Sequence, residues 1–180
     1  FTENIAYGIT ELIRTENIDM TIDLHEASPE YPNINSTVAH ERAMAIASVG
    51  MMNLQMEGID IKLEPSPVNL RGLSHRELGD YTNTFALLME TSNAAQGRIR
   101  GATNEALAIT GIDKCYNILV DYDLLYVPYD ETGHPLEERA GRHLSGVQEY
   151  IKALGTVYPE KEIILQNVPT LGELQEDGIG

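Results

Sequence analysis

Basic residues are scarce in this sequence. Twelve Lys and Arg stand against 28 Asp and Glu in 180 residues, a formal charge of −16 at pH 7. Such a surface repels phosphate backbones and anionic lipid, which argues against a nucleic-acid or membrane-surface partner. Cysteine is nearly missing as well. Cys115 alone excludes an internal disulfide framework and a thiolate zinc cluster, without fixing the compartment. No apolar run approaches the ~18 residues that a membrane span needs, and no signal peptide is visible. There is no internal repeat, low-complexity tract or linker. Two enzyme motifs are absent too. No G-x-S-x-G elbow offers a serine nucleophile, and Gly97-Arg-Ile-Arg-Gly101 lacks the lysine and spacing of a phosphate loop.

What remains is an ordinary globular composition, 42% hydrophobic and 22% charged, which argues against disorder. A chain of this length can bury roughly 70% of its unfolded surface and needs no staple to fold. It starts at Phe1 rather than at methionine and stops at Gly178-Ile179-Gly180 without a polar tail. It reads as a single α/β segment, residues 1–180, cut from a longer protein.

The elements follow from periodicity. Ile5, Ile9 and Leu12 predict a helix over about 3–15. Residues 19–25 alternate, with Met20, Ile22 and Leu24 on one face and Thr21, Asp23 and His25 on the other. A turn-rich loop at 27–35 follows. Ser36 can cap a long helix ended by Gly58, with Val38, Ala45, Val49, Met52 and Met56 as its buried stripe. Met44, Met51, Met52 and Met56 read as core filling. Ile59, Ile61 and Leu63 predict a short strand stopped by Pro65, and Ser74–Leu78 a helical turn. Phe85-Ala-Leu-Leu-Met89 is a continuous apolar run, the pattern of a central parallel strand covered on both faces. A loop from Asn93 to Gly101, a helix from about Thr103 and an apolar, tyrosine-rich stretch at 116–127 follow. Leu136, Ala140, Leu144, Val147, Ile151 and Leu154 mark the strongest helix, between Pro135 and Gly155. A short strand around Ile163–Leu165 closes the series. Strands alternating with helices predict an α/β fold, a mostly parallel or mixed central sheet flanked by helices.

In open α/β sheets, sites lie at the carboxyl ends of the strands. Two buried-looking strands end there in an ionisable residue, His25 and Glu90. A neutral imidazole is a good zinc ligand, and a carboxylate beside it can serve as general base for a water that the metal activates. Each also has a structural reading: a strand-end histidine is often simply hydrogen-bonded, and a buried carboxylate is often simply paired.

Thr21-Ile-Asp-Leu-His25-Glu-Ala resembles the zinc carboxypeptidase segment in which a strand of the form I-D-x-H delivers the third zinc ligand. Phe85-Ala-Leu-Leu-Met-Glu90-Thr-Ser-Asn-Ala-Ala-Gln-Gly97-Arg resembles the later strand that delivers their catalytic glutamate. Order and spacing agree, 65 positions apart (90 − 25). Asp23-Leu-His25-Glu-Ala leans towards the deacylase branch, the succinylglutamate desuccinylase and aspartoacylase relatives. The likeness covers about residues 3–115. It implies a zinc-dependent hydrolase of amide bonds, a metallopeptidase or deacylase, acting on a peptide C-terminus or N-acyl amino acid with a free carboxylate. His25 is then the metal ligand and Glu90 the general base. The family's H-x-x-E pair and its carbonyl-polarising arginine lie upstream of the third ligand. No histidine precedes His25 here, and only Arg14 does among arginines. The resemblance therefore implies the C-terminal part of a larger catalytic domain, with a missing N-terminal segment of the same protein as partner. The rival reading is a non-catalytic α/β binding module or pseudoenzyme without the metal.

Other polar residues are read from their surroundings. Asp23 shares the His25 face and can orient the imidazole. Arg98, Arg100 and Arg71 can clamp a substrate carboxylate, or equally form plain ion pairs. His134-Pro-Leu-Glu137 has H-x-x-E form but lies downstream of His25, and reads as a structural helix start. His40-Glu41 and His75-Arg-Glu77 read as solvated helix faces, and His143 as surface. Tyr81 lies too near Glu90 in sequence to stand in for the family's mobile tyrosine, and Cys115 reads as a small core residue.

Overall fold

The structure, a computed structural model, describes residues 4–27, 35–92, 122 and 134–179. Four strands form one open sheet: β1 (Met20–Glu26), β2 (Ser36–Ala39), β3 (Lys62–Pro65) and β4 (Phe85–Thr91). Their spatial order is β1-β4-β2-β3. β1 pairs parallel with β4, and β2 parallel with β3, while β2 runs antiparallel to β4. The helices are α1 (Asn4–Thr15), α2 (Met44–Met56), α3 (Ser74–Tyr81), α4 (Leu136–Val157) and α5 (Leu171–Asp177), with 3₁₀ turns at Glu41–Ala43 and Pro159–Lys161. This is an α/β architecture with a mixed sheet flanked by helices. None of the described helices is long and apolar enough to cross a membrane.

β4 is central, as its unbroken apolar run demands. Ala86, Leu87, Leu88 and Met89 are all buried. Leu87 and Met89 join Ala47, Leu54 and Tyr150 in the main core, so α2 and α4 cover that face. α3 lies over the other face, where Ser74 bonds Asp23. Gly58, in the left-handed region at φ 81°, follows the end of α2, the place where only a residue without Cβ sits free of strain.

Several expectations are corrected. Ser36 caps no helix: residues Ser36–Ala39 are a strand buried along its whole length, held by β3 and β4. α2 starts only at Met44, and its buried residues are Ile46, Ala47, Gly50 and Leu54. Met52 and Met56 are 58% and 78% exposed, so they fill no core. α4 runs past Gly155 to Val157 and buries Gly141, Ser145, Gly146, Tyr150 and Ala153. Small residues allow close approach, so they form most of the buried face; of the predicted stripe, Leu154 is buried in a cluster with Ile46 and Ala153, and Leu136 is exposed. Ile163–Leu165 forms no strand and is exposed. α1 is helical as expected, yet Ile5, Ile9 and Leu12 lie on its exposed side and Thr10 and Ile13 are buried. The loop expected at 27–35 lies, for residues 28–34, outside the described residues, as do the expectations for 93–133, and with them Arg98, Arg100 and Cys115, Tyr122 apart.

Candidate metal and proton-transfer site

His25 and Glu90 are direct partners in the parallel β1–β4 register. Partners across a parallel ladder share a face, so both side chains project from one side of the sheet near the strands' carboxyl ends. His25 Nδ1 stands 3.9 Å from Glu90 Oε1, and His25 Nε2 stands 3.1 Å from Asp23 Oδ2. Asp23 lies two residues before His25, and the two-residue strand period brings it onto the same face. A carboxylate only accepts, so the Asp23 contact favours the proton on Nε2 and leaves the Nδ1 lone pair towards Glu90. The Asp23 carboxylate also accepts a hydrogen bond from the Ser74 hydroxyl at the start of α3.

Glu90 differs from an ordinary surface carboxylate. Its side chain is 17% exposed, and its Oε2 is buried without a hydrogen-bond partner among the described residues. Burial raises its pKa above the usual carboxylate value; nearby Asp23 pushes the same way, and His25 opposes both. A carboxylate biased towards taking up a proton is what general-base work at neutral pH requires.

His143, read from the sequence as surface, belongs to this neighbourhood. From half-buried α4 it donates Nε2–H to the His25 carbonyl at 3.0 Å, and burial lowers its pKa. Arg139, on the same helix, pairs with Glu26 at the end of β1. Its place beside the apolar stripe was the signal; α4's close approach to β1 was not readable from one segment.

The remaining histidines are structural in their contacts. His75 is buried, with Nδ1 2.7 Å from the Ser66 hydroxyl, and burial lowers its pKa. Arg76 is also buried and binds Glu41 and Asp80, so His75-Arg76-Glu77 is no solvated face. His40 is buried against Asp80, with Nε2 at 3.1 Å from Oδ1. His40, Glu41 and Asp80 could together hold a metal ion. The Arg76 guanidinium already occupies both carboxylates, which makes a cation there redundant. His134 pairs with Glu138 rather than Glu137. Arg71 is engaged twice, with Glu77 at 2.8 Å and Asp80 at 2.6 Å. The ion-pair alternative holds for it, and a substrate carboxylate would have to displace both partners.

Whether these residues suit zinc is decided by their donors. An imidazole nitrogen with its lone pair free, facing a carboxylate with one oxygen unpartnered, fits in kind and in orientation. Together they make part of a zinc set, which takes three protein ligands in catalytic centres such as carboxypeptidase A; that ligand set is a stock example of zinc coordination. Among the described residues the neighbouring histidines each commit one ring nitrogen, His143 Nε2 to the His25 carbonyl and His75 Nδ1 to Ser66; His143 Nδ1 is buried with no hydrogen-bond partner there.

Comparison with known proteins finds no match: no family model, no curated protein and no solved structure is significantly similar to the chain.

Proposed function

We propose that this chain carries part of the catalytic centre of a zinc-dependent amide hydrolase, of the carboxypeptidase or N-acyl amino acid deacylase type. The observation that supports it best is the side-by-side placement of His25 and Glu90 on adjacent parallel strands, imidazole nitrogen towards carboxylate. His25 Nδ1 is the ligand atom, and the other ligands come from outside the described residues. When bound, zinc supplies Lewis-acid activation of the scissile carbonyl and of water. Glu90 accepts the proton released by the attacking water and returns it to the leaving nitrogen. Asp23 holds the imidazole in the tautomer that leaves Nδ1 bare. Arg98 and Arg100, eight and ten positions after Glu90, are the candidates for holding the substrate carboxylate.

A second reading has its own support. An imidazole lying between two carboxylates can serve as a purely structural polar contact, so the same trio suits a non-catalytic α/β module without metal. Zinc binding separates the two. In the protein that supplies the remaining ligands, His25→Ala should lower zinc affinity, and Glu90→Gln should retain zinc while losing roughly 10²–10⁴ in turnover. Full zinc retention by His25→Ala, or unchanged hydrolysis by Glu90→Gln, removes the hydrolase reading.

A further inference from the structure

At the other end of β1 and β4 from His25 and Glu90, a cavity of about 540 Å³ opens between the end of α1, Asp19, the segment after α3, and Lys161. That is the size range of small-molecule sites. Three of the chain's 12 basic residues line it: Arg14, Arg42 and Lys161. They come from three separate parts of a strongly acidic chain.

What matters is how these cations are held. Arg14 donates from Nε and Nη2 to the Tyr81 carbonyl at 3.2 and 2.9 Å. Arg42 donates from Nη2 to the carbonyls of Gly79 and Thr82. These carbonyls belong to the last turn of α3 and the residue after it, where backbone acceptors lack helical partners. Neutral carbonyls therefore fix both guanidiniums without cancelling their charge. Arg42 has no carboxylate in ion-pair range among the described residues, and its Nε and Nη1 have no acceptor there. The Arg14–Glu11 pair is half exposed and solvent-screened. Of the cavity's own carboxylates, Asp80 is taken by Arg71 and Arg76, which hold its pKa well below the usual range. Asp19 is paired with Lys161. The residues that line the cavity carry three cations against two carboxylates, and the excess resides on Arg42, whose hydrogen-bond partners among the described residues are all neutral.

We infer that this cavity binds a small oxyanion-bearing molecule, a phosphomonoester or a carboxylate, with Arg42 as its principal anchor and Arg14 and Lys161 as flanking charges. The chain's net charge of −16 does not oppose this at close range, because charges beyond about 8 Å are screened at physiological salt. The site is independent of the hydrolase reading.

The test is titration of the chain with inorganic phosphate and, separately, with malonate, at constant ionic strength balanced by NaCl, followed by calorimetry. Saturable one-to-one binding is expected, weakened about tenfold or more by Arg42→Gln. Lys161→Gln, which leaves the α3 carbonyls capped, should also weaken it, so the inference stays testable if Arg42→Gln fails to fold. Lys152→Gln, on α4, should change nothing. Tighter phosphate binding assigns a phosphomonoester, and tighter malonate binding a carboxylate. A response no greater than that of NaCl, or equal affinity in the folded charge variants, overturns the site and leaves the arginines as caps of α3 alone.

Discussion

Glu90 carries a cost that its neighbours do not remove. Burial raises its pKa above 4.5, and one oxygen has no partner among the described residues. Between the unfolded and the raised folded pKa, the native chain holds more protons than the unfolded one. Stability attributable to Glu90 therefore falls as pH rises through that window. Glu90→Gln cannot ionise and escapes the penalty. Its melting temperature relative to the parent should climb between pH 4.5 and pH 7, and a constant difference across that range would discard the strained-base picture. His25 and Glu90 were legible because each stands near the carboxyl end of a predicted strand; the expected burial holds for β4 alone, since β1 has no buried residue and Leu24 is 47% exposed. His40 and His75 were not, since the partners that allow their burial, Asp80 and Ser66, lie 40 and 9 positions away; Arg76 has one local partner, Asp80 four residues on, and a distant one, Glu41, 35 positions away. Local sequence sees polarity; only the fold supplies the acceptor.

The same limit operates on whole elements. β1, β4 and α3 were readable because alternation, an unbroken apolar run and a helical turn are local patterns. β2 was not: four residues buried on both faces have no alternation, and pairing with β3 and β4 overrides the helical spacing that Val38 shares with Ala45. Ile163–Leu165 is the converse, an apolar triplet that pairs with nothing described. In α4 the buried face depends on small residues, which hydrophobicity does not flag. The worth of such close approach can be measured at two glycines, Gly50 on α2 and Gly146 on α4. A Cβ at Gly50 would strike the Tyr150 ring, whose hydroxyl is tied to Thr37, whereas one at Gly146 would meet the flexible thioether of Met89. Gly50→Ala should cost about 2–3 kcal/mol by denaturant unfolding. Gly146→Ala should cost about 1 kcal/mol or less, because a thioether moves aside and helix propensity returns nearly as much. Equal costs would mean the ring is as yielding as the methionine.

The molecule as a whole is governed by its acid excess. At pH 7 the charge of −16 repels itself, and the pI is about 4.5. Added NaCl should raise the melting temperature at pH 7 and lose that effect near pH 4.5; a salt response independent of pH would contradict it. Acid brings opposing losses. His75 and His143 have lowered pKa values, so they cost stability as pH falls from 6.5 towards those values. Glu41, whose pKa the Arg76 hydrogen bond lowers, and Glu138, whose pKa the His134 hydrogen bond and then Arg142 lower, cost it as pH falls below 4.5. The alternation of strands and helices made the α/β class readable, whereas the direction of β2 depends on contacts that no local pattern encodes. That reversal places the carboxyl end of β2 beside the first half of β4, Ala39 opposite Leu87, with Arg42 three residues on. A wholly parallel sheet gathers its strand carboxyl ends at one margin; this one has them at two, separated by the length of a seven-residue strand, roughly 20 Å. Across such a span ions in solution erase any electrical message. If occupants of the two margins influence one another, the signal has to travel as mechanical displacement along the backbone of β4.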